Sequence, residues 1–136
     1  MNQTAEQRVA AYNDKWPPAL LTYNDRIYGV WVIGNTYENA SDFYGEYPHK
    51  LLQRMQTLFQ DKQKVMHLFS GKIIDKGAMT YDIDESHRPT ICDDVRNLLA
   101  HKTEIQDRDL VMCDPPYDKS DLKSTTFQSR LAKLRC

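Results

Sequence analysis

The chain opens on a helical signal and then turns to short apolar runs. Thr4-Ala5-Glu6-Gln7 has capping-box spacing, and the alanine-containing stretch to about Trp16 predicts a short peripheral helix that Pro17-Pro18 ends. Ile27 to Ile33 is β-branched and aromatic, bounded by Asp25 and by Gly34-Asn35, and predicts a strand or extended packing segment. A polar, aromatic loop from Thr36 to Tyr47 follows. Pro48 then opens a second helix, where Leu51, Leu52, Met55, Leu58 and Phe59 repeat at helical spacing down one face to Asp61.

From Val65 onward the pattern changes. Val65-Met66-His67-Leu68-Phe69, Ala78-Met79-Thr80-Tyr81 and Leu110-Val111-Met112-Cys113 are apolar runs bounded by Gly, Pro and Asp, with a weaker run at Pro89-Thr90-Ile91-Cys92. Runs of this length and boundary predict buried parallel strands. Asp94 to His101 supplies a short helical connection through Val95, Leu98 and Leu99, so strand and crossover alternate as in open α/β sheets. One domain is expected overall, with 1–45 as an N-terminal arm and extended segment and 46–136 carrying the sheet.

Composition narrows the partners. The 136 residues carry a formal charge of −1 from interleaved acids and bases, so any nucleic-acid contact has to come from a local patch. No apolar run is long enough to span a membrane and the start is polar, which makes a soluble cytoplasmic protein the expectation. Cys92, Cys113 and Cys136 are odd in number and form no CxxC pair, arguing against a disulfide framework and a zinc site. Cys92 and Cys113 are expected as buried thiols. His67 reads as a satisfied core residue, and His49 and His87 have no partner spacing that suggests a metal.

In open α/β sheets ligands bind beyond the carboxyl ends of the strands, so the residues after each run matter most. The first run ends in Phe69-Ser70-Gly71, where glycine permits a tight turn and a close ligand approach. The second ends at Asp82-Ile83-Asp84, where a carboxylate could accept both hydroxyls of a ribose or simply face solvent. The third leads into Asp93-Asp94, with Asp94 either contacting an adenine amino group or capping the following helix. The fourth ends in Asp114-Pro115-Pro116-Tyr117, whose prolines hold a carboxylate, a carbonyl and an aromatic ring in a rigid cluster. An exocyclic amino group on a nucleobase is a poor nucleophile, because its lone pair is delocalised into the ring. Two acceptors gripping its hydrogens, Asp114 and the Pro115 carbonyl, would free that lone pair, while Tyr117 offers a stacking face.

The order of these motifs resembles the class I S-adenosylmethionine-dependent methyltransferases of the DNA amino-methylating type, with their Asp/Asn/Ser-Pro-Pro-aromatic signature after the fourth strand. The stretch from about Tyr44 to Tyr117, with VMHLFSGKI, TYDIDES, ICDDVRNLL and CDPPY, is similar to small phage or environmental members. The resemblance implies a Rossmann-like, mainly parallel sheet, incomplete on its C-terminal side. It also implies S-adenosylmethionine as cofactor, held by Phe69, Ser70, Gly71, Asp82, Ile83, Asp93 or Asp94, and Asp114. Asp114, Pro115, Pro116 and Tyr117 would hold the target amino group, that of adenine first and cytosine second.

Two features depart from the family. Lys72-Ile73 stands where many members have the second glycine of a GxG turn, and such domains continue for three more strands after the helix that follows the motif. A sheet ending there exposes an edge, which predicts a homo-oligomer or a second covering subunit. DNA ranks ahead of RNA as substrate. A protein amide methyltransferase, a non-catalytic remnant and a plain nucleotide-binding module are the alternatives, the last lacking GxxxxGK[ST] or a full GxGxxG.

Overall fold

A computed structural model describes residues 2–31 and 50–115. The described residues form two compact units, 2–31 with 50–63, and 64–115. The expected boundary near residue 45 lies outside them; the second helix belongs to the N-terminal unit, where it packs on the first.

In the N-terminal unit, α1 (Ala5–Asn13) begins at the expected capping box: Thr4 accepts the Gln7 N–H, and the Gln7 side chain accepts the Thr4 N–H. α1 is not peripheral. Val9 and Tyr12 meet Leu20 and Leu58 in a core that Trp16, Ile27, Trp31 and Phe59 border. After α1, Asn13 clamps both backbone groups of Leu20. The chain then forms a hairpin, β1 (Leu21–Tyr23) and β2 (Arg26–Tyr28); of the stretch Ile27 to Ile33 expected as a strand or extended packing segment, Ile27 and Tyr28 lie in β2, residues 29–31 are in neither strand, and 32–33 lie outside the described residues. Asn24 and Asp25, both at positive φ, make the two-residue turn, as suits the twist of paired strands. α2 (Leu51–Leu58) begins after Lys50 at positive φ, so its described start falls later than the expected Pro48, which lies outside the described residues.

Charge joins α1 to the chain just after α2. Arg8 gives both guanidinium nitrogens to Asp61 and one also to the Leu58 carbonyl, while the Gln3 N–H reaches the same carboxylate. The two side chains are about nine-tenths buried, and the Arg8 hydrogen bond is the main cause of an Asp61 pKa lowered to about 2. A carboxyl that is more acidic when folded stabilises the protein above its unfolded pKa near 4 and loses that contribution as pH falls toward 2. Asp61→Ala should therefore cost about 3 kcal/mol in denaturant unfolding at neutral pH, as expected when a buried pair loses one member. Asp61→Asn should flatten part of the acid limb between pH 4 and 2. Asp107, whose pKa Lys64 and Arg108 also lower to about 2, retains the remainder.

The second unit is mixed α/β with a four-stranded parallel sheet in the order β5-β4-β3-β6. Its strands are β3 (Val65–Leu68), β4 (Met79–Asp82), β5 (Ile91–Cys92) and β6 (Leu110–Cys113), each within an expected run or one residue beyond it. Met66, Leu68 and Tyr81 lie on one face, covered by Val95, Leu98 and Ile105 from the 3-10 segment Val95–His101 and α3 (Lys102–Ile105). On the other face His67 is fully buried and its Nε2 meets the Asp75 carboxylate at 2.8 Å, the satisfied core role expected of it. Cys92 and Cys113 depart from expectation. Cys92 is half-buried and Cys113 exposed; they stand on β5 and β6, the two outer strands of the sheet among the described residues. No described helix is long and apolar enough to cross a membrane.

Candidate functional site

Parallel pairing brings the carboxyl ends of all four strands to one end of the sheet, so the singled-out residues converge there. Leaving β3, the chain turns sharply with Phe69 at φ 55° and Gly71 at φ 53°. A bulky residue at positive φ is strained, and such strain tends to persist where the surroundings enforce it. The turn is fixed by the Ser70 N–H on the Tyr81 carbonyl and by the Gly71 N–H on Asp82 Oδ2 at 2.7 Å. Ser70 is only 3% exposed, and its hydroxyl has no hydrogen-bond partner among the described residues.

Asp82 is buried, and its other oxygen accepts the Asp84 N–H at 2.8 Å. The carboxylate thus staples the end of β4 to the turn after β3 on one side and to the chain beyond β4 on the other. A carboxylate oxygen has a second lone pair, so each can still accept a ligand hydroxyl. Asp84 also caps the 3-10 turn Glu85–His87, accepting from the Ser86 N–H and hydroxyl. That turn brings His87 back against both acids, with Nε2 3.1 Å from Asp84 and Nδ1 3.5 Å from Asp82. His87 is the site residue that sequence reasoning missed. Its relation to Asp84 at i, i+3 becomes a signal only once the 3-10 turn is recognised, and Nδ1 itself is buried without a hydrogen bond among the described residues.

After β5, Asp94 adopts the capping role and accepts the Arg96 N–H, while the Arg96 guanidinium grips both its oxygens and holds its pKa down. Asp93 accepts from Asn97 and meets His101 Nε2 at 2.8 Å, and the His101 bond is the main cause of its lowered pKa. Tyr81 packs edge-on against His101 and donates its hydroxyl to the Asp94 carbonyl. Burial, with Asp93 and Asp94 nearby, pushes that phenol up to about 12. Asp94 thus caps the segment, one of the two roles expected of it, and its carboxylate is already engaged on both oxygens.

β6 delivers Asp114 and Pro115 beside the end of β3, with the Asp114 N–H 3.5 Å from the Leu68 carbonyl. Asp114 is half-buried, and its carboxylate accepts no hydrogen bond among the described residues. The acids Asp82, Asp93 and Asp94 all have protein donors. Ile83 is half-buried, with its carbonyl near the Cys92 thiol. Pro116 and Tyr117 lie outside the described residues. Among the described residues no three His, Cys, Asp or Glu side chains are placed to hold a metal.

No protein-family model, curated protein or solved structure matches this chain.

Proposed function

We propose that the sheet unit binds S-adenosylmethionine and transfers its methyl group to the exocyclic amino group of adenine in DNA. One observation carries the reading. Counted within the sheet, the strands lie in the order third, second, first, fourth, as in doubly wound nucleotide-binding folds, and that order reverses between β3 and β6. A crevice at such a reversal is where open α/β sheets take ligands. The strained Phe69-Ser70-Gly71 turn and Asp114-Pro115 are the two segments that leave the strands at this point.

The residues present fit the cofactor in chemistry. A sulfonium is cationic, and Asp82, Asp93, Asp94 and Asp114 make this end of the sheet acidic. Asp82 retains lone pairs for a ribose diol, the Gly71 turn allows backbone approach, and the buried Ser70 hydroxyl lacks a partner among the described residues. Bound there, the cofactor supplies an activated methyl group. The protein's share is acceptance and alignment: the Asp114 carboxylate and the Pro115 carbonyl take the two amino hydrogens, so the nitrogen lone pair points out of the base plane. Pro115 fixes its own φ and limits Asp114, which keeps the two acceptors in register.

Calorimetric titration with S-adenosylhomocysteine tests the cofactor half of the reading. Saturable binding is expected, weakened by Asp82→Ala; a folded wild-type chain that takes up no ligand would overturn it. Transfer of labelled methyl to DNA, with RNA and protein extract as comparison substrates, tests the other half.

A further inference from the structure

The hairpin of the N-terminal unit turns its two faces to different surroundings. Its register pairs Leu21 with Tyr28, Thr22 with Ile27 and Tyr23 with Arg26. Side chains alternate along a strand, so Thr22 and Ile27 face inward, where Ile27 meets the core, and Leu21, Tyr23, Arg26 and Tyr28 share the outer face. Leu21 is 70% exposed, Tyr23 69% and Tyr28 47%, and Val30 just beyond is 74% exposed.

This face is held rigidly from below. Asn13 grips Leu20 through both backbone groups, and Asp25 in the turn accepts the Ala5 N–H at 3.3 Å. Gly29 packs so closely on Leu20 that a Cβ there would lie 2.2 Å from Leu20 Cδ2. Tyrosine has few rotatable bonds and loses little entropy on binding, so exposed rings on a backbone held in this way suit a ligand.

We propose that this outer face binds single-stranded nucleic acid, with bases stacking on the Tyr23 and Tyr28 rings and a phosphate meeting Arg26. The tyrosines are diagonal neighbours across the hairpin, roughly 7–8 Å apart at their backbones, so each ring can receive its own base. Every base has a π-face, and stacking on aromatic residues needs no particular sequence. Charge favours the same occupant. Among the described residues of the hairpin Arg26 is the one charged side chain on the face, and cations outnumber anions among residues 2–31 and 50–63, whereas anions outnumber cations among residues 64–115. A polyanion meets less repulsion on this unit than on the acidic sheet unit. Pairing of the face with a second copy would offer Arg26 no acidic residue from the same face of the partner.

The proposal concerns a different compact unit from the strand-end site and stands whether or not that site takes a cofactor. The test is fluorescence anisotropy of a labelled oligothymidylate of about 12 nucleotides, titrated with the full chain at low and moderate salt. Saturable binding is expected. Tyr23→Ala and Tyr28→Ala should each weaken it about tenfold, while Tyr23→Phe and Tyr28→Phe keep it. Arg26→Ala should lower both the affinity and the salt slope, the latter by about 1. Circular dichroism should show all five variants folded, since these side chains are exposed, and S-adenosylhomocysteine binding serves as an independent control that none of them should alter. Absence of oligonucleotide binding by the wild-type chain would overturn the proposal, as would wild-type affinity in the tyrosine-to-alanine variants. So would a wild-type dimer in sedimentation that these variants dissociate while oligonucleotide binding stays intact, because the face would then join two copies.

Discussion

Asp114→Ala should lower methyl transfer to DNA about a thousandfold, the upper range for loss of one group aimed at a developing charge, and leave S-adenosylhomocysteine affinity almost unchanged. Its carboxylate is half-buried at the carboxyl end of β6 and accepts no hydrogen bond among the described residues, so its removal orphans no donor among them. Stability should stay within about 0.5 kcal/mol, as for a substitution that breaks no structural contact. Asp82, Asp93 and Asp94 are different, since each carries backbone or side-chain donors.

Asn at position 114 sharpens the test. Its carbonyl oxygen can still accept one amino hydrogen, so Asp114→Asn should retain transfer well above the alanine variant. A general loss of packing would instead lower both variants together. Single-turnover transfer from labelled cofactor, read beside binding, separates the chemical step from affinity. Full transfer in Asp114→Ala would remove the carboxylate from the mechanism.

The features legible in the sequence are those that local chemistry decides. Leu110 to Cys113 is apolar and closed by Asp109 on one side and Asp114-Pro115 on the other, and β6 has those bounds. The same logic gave β3, the Thr4 capping box and the Asp94 cap, each of which depends on residues within a few positions. What the sequence hid depends on distance or on shortness. Arg8 and Asp61 meet across 53 positions, and no local pattern announces the pair. Three-residue strands are too short for a period to emerge, although Asn24-Asp25 carried the turn signal that the extended-segment reading passed over. Cys113 sits in an apolar run but on an outer strand of the described sheet, and only the strand order reveals that.

At the site the sequence located the acids but not their commitments. Asp94 shows the difference most plainly. Its cap to the Arg96 N–H follows from position, whereas the two-oxygen grip of the Arg96 guanidinium depends on how a 3-10 segment turns its first residues.

Asp82→Ala should have a double effect, and the two parts can be measured separately. In the folded protein the carboxylate accepts N–H groups from Gly71 and Asp84 in a buried setting. Alanine leaves both donors without an acceptor at about 1–3 kcal/mol each, so unfolding by denaturant should show a loss of about 3 kcal/mol. If the same carboxylate also accepts the cofactor ribose, removing two charge-assisted hydrogen bonds should weaken S-adenosylhomocysteine about a hundredfold, beyond any effect of the unfolded fraction. Asp82→Asn separates the roles further. Its oxygen can accept one of the two N–H groups, but its amide nitrogen then faces the other, so the staple fails on one side while the residue keeps its size. A variant that is destabilised yet, once corrected for its folded fraction, binds with wild-type affinity would make Asp82 a staple of the β3 and β4 ends alone. Parallel losses in stability and binding would mean that one carboxylate both shapes the turn at Gly71 and receives the ligand that the turn admits.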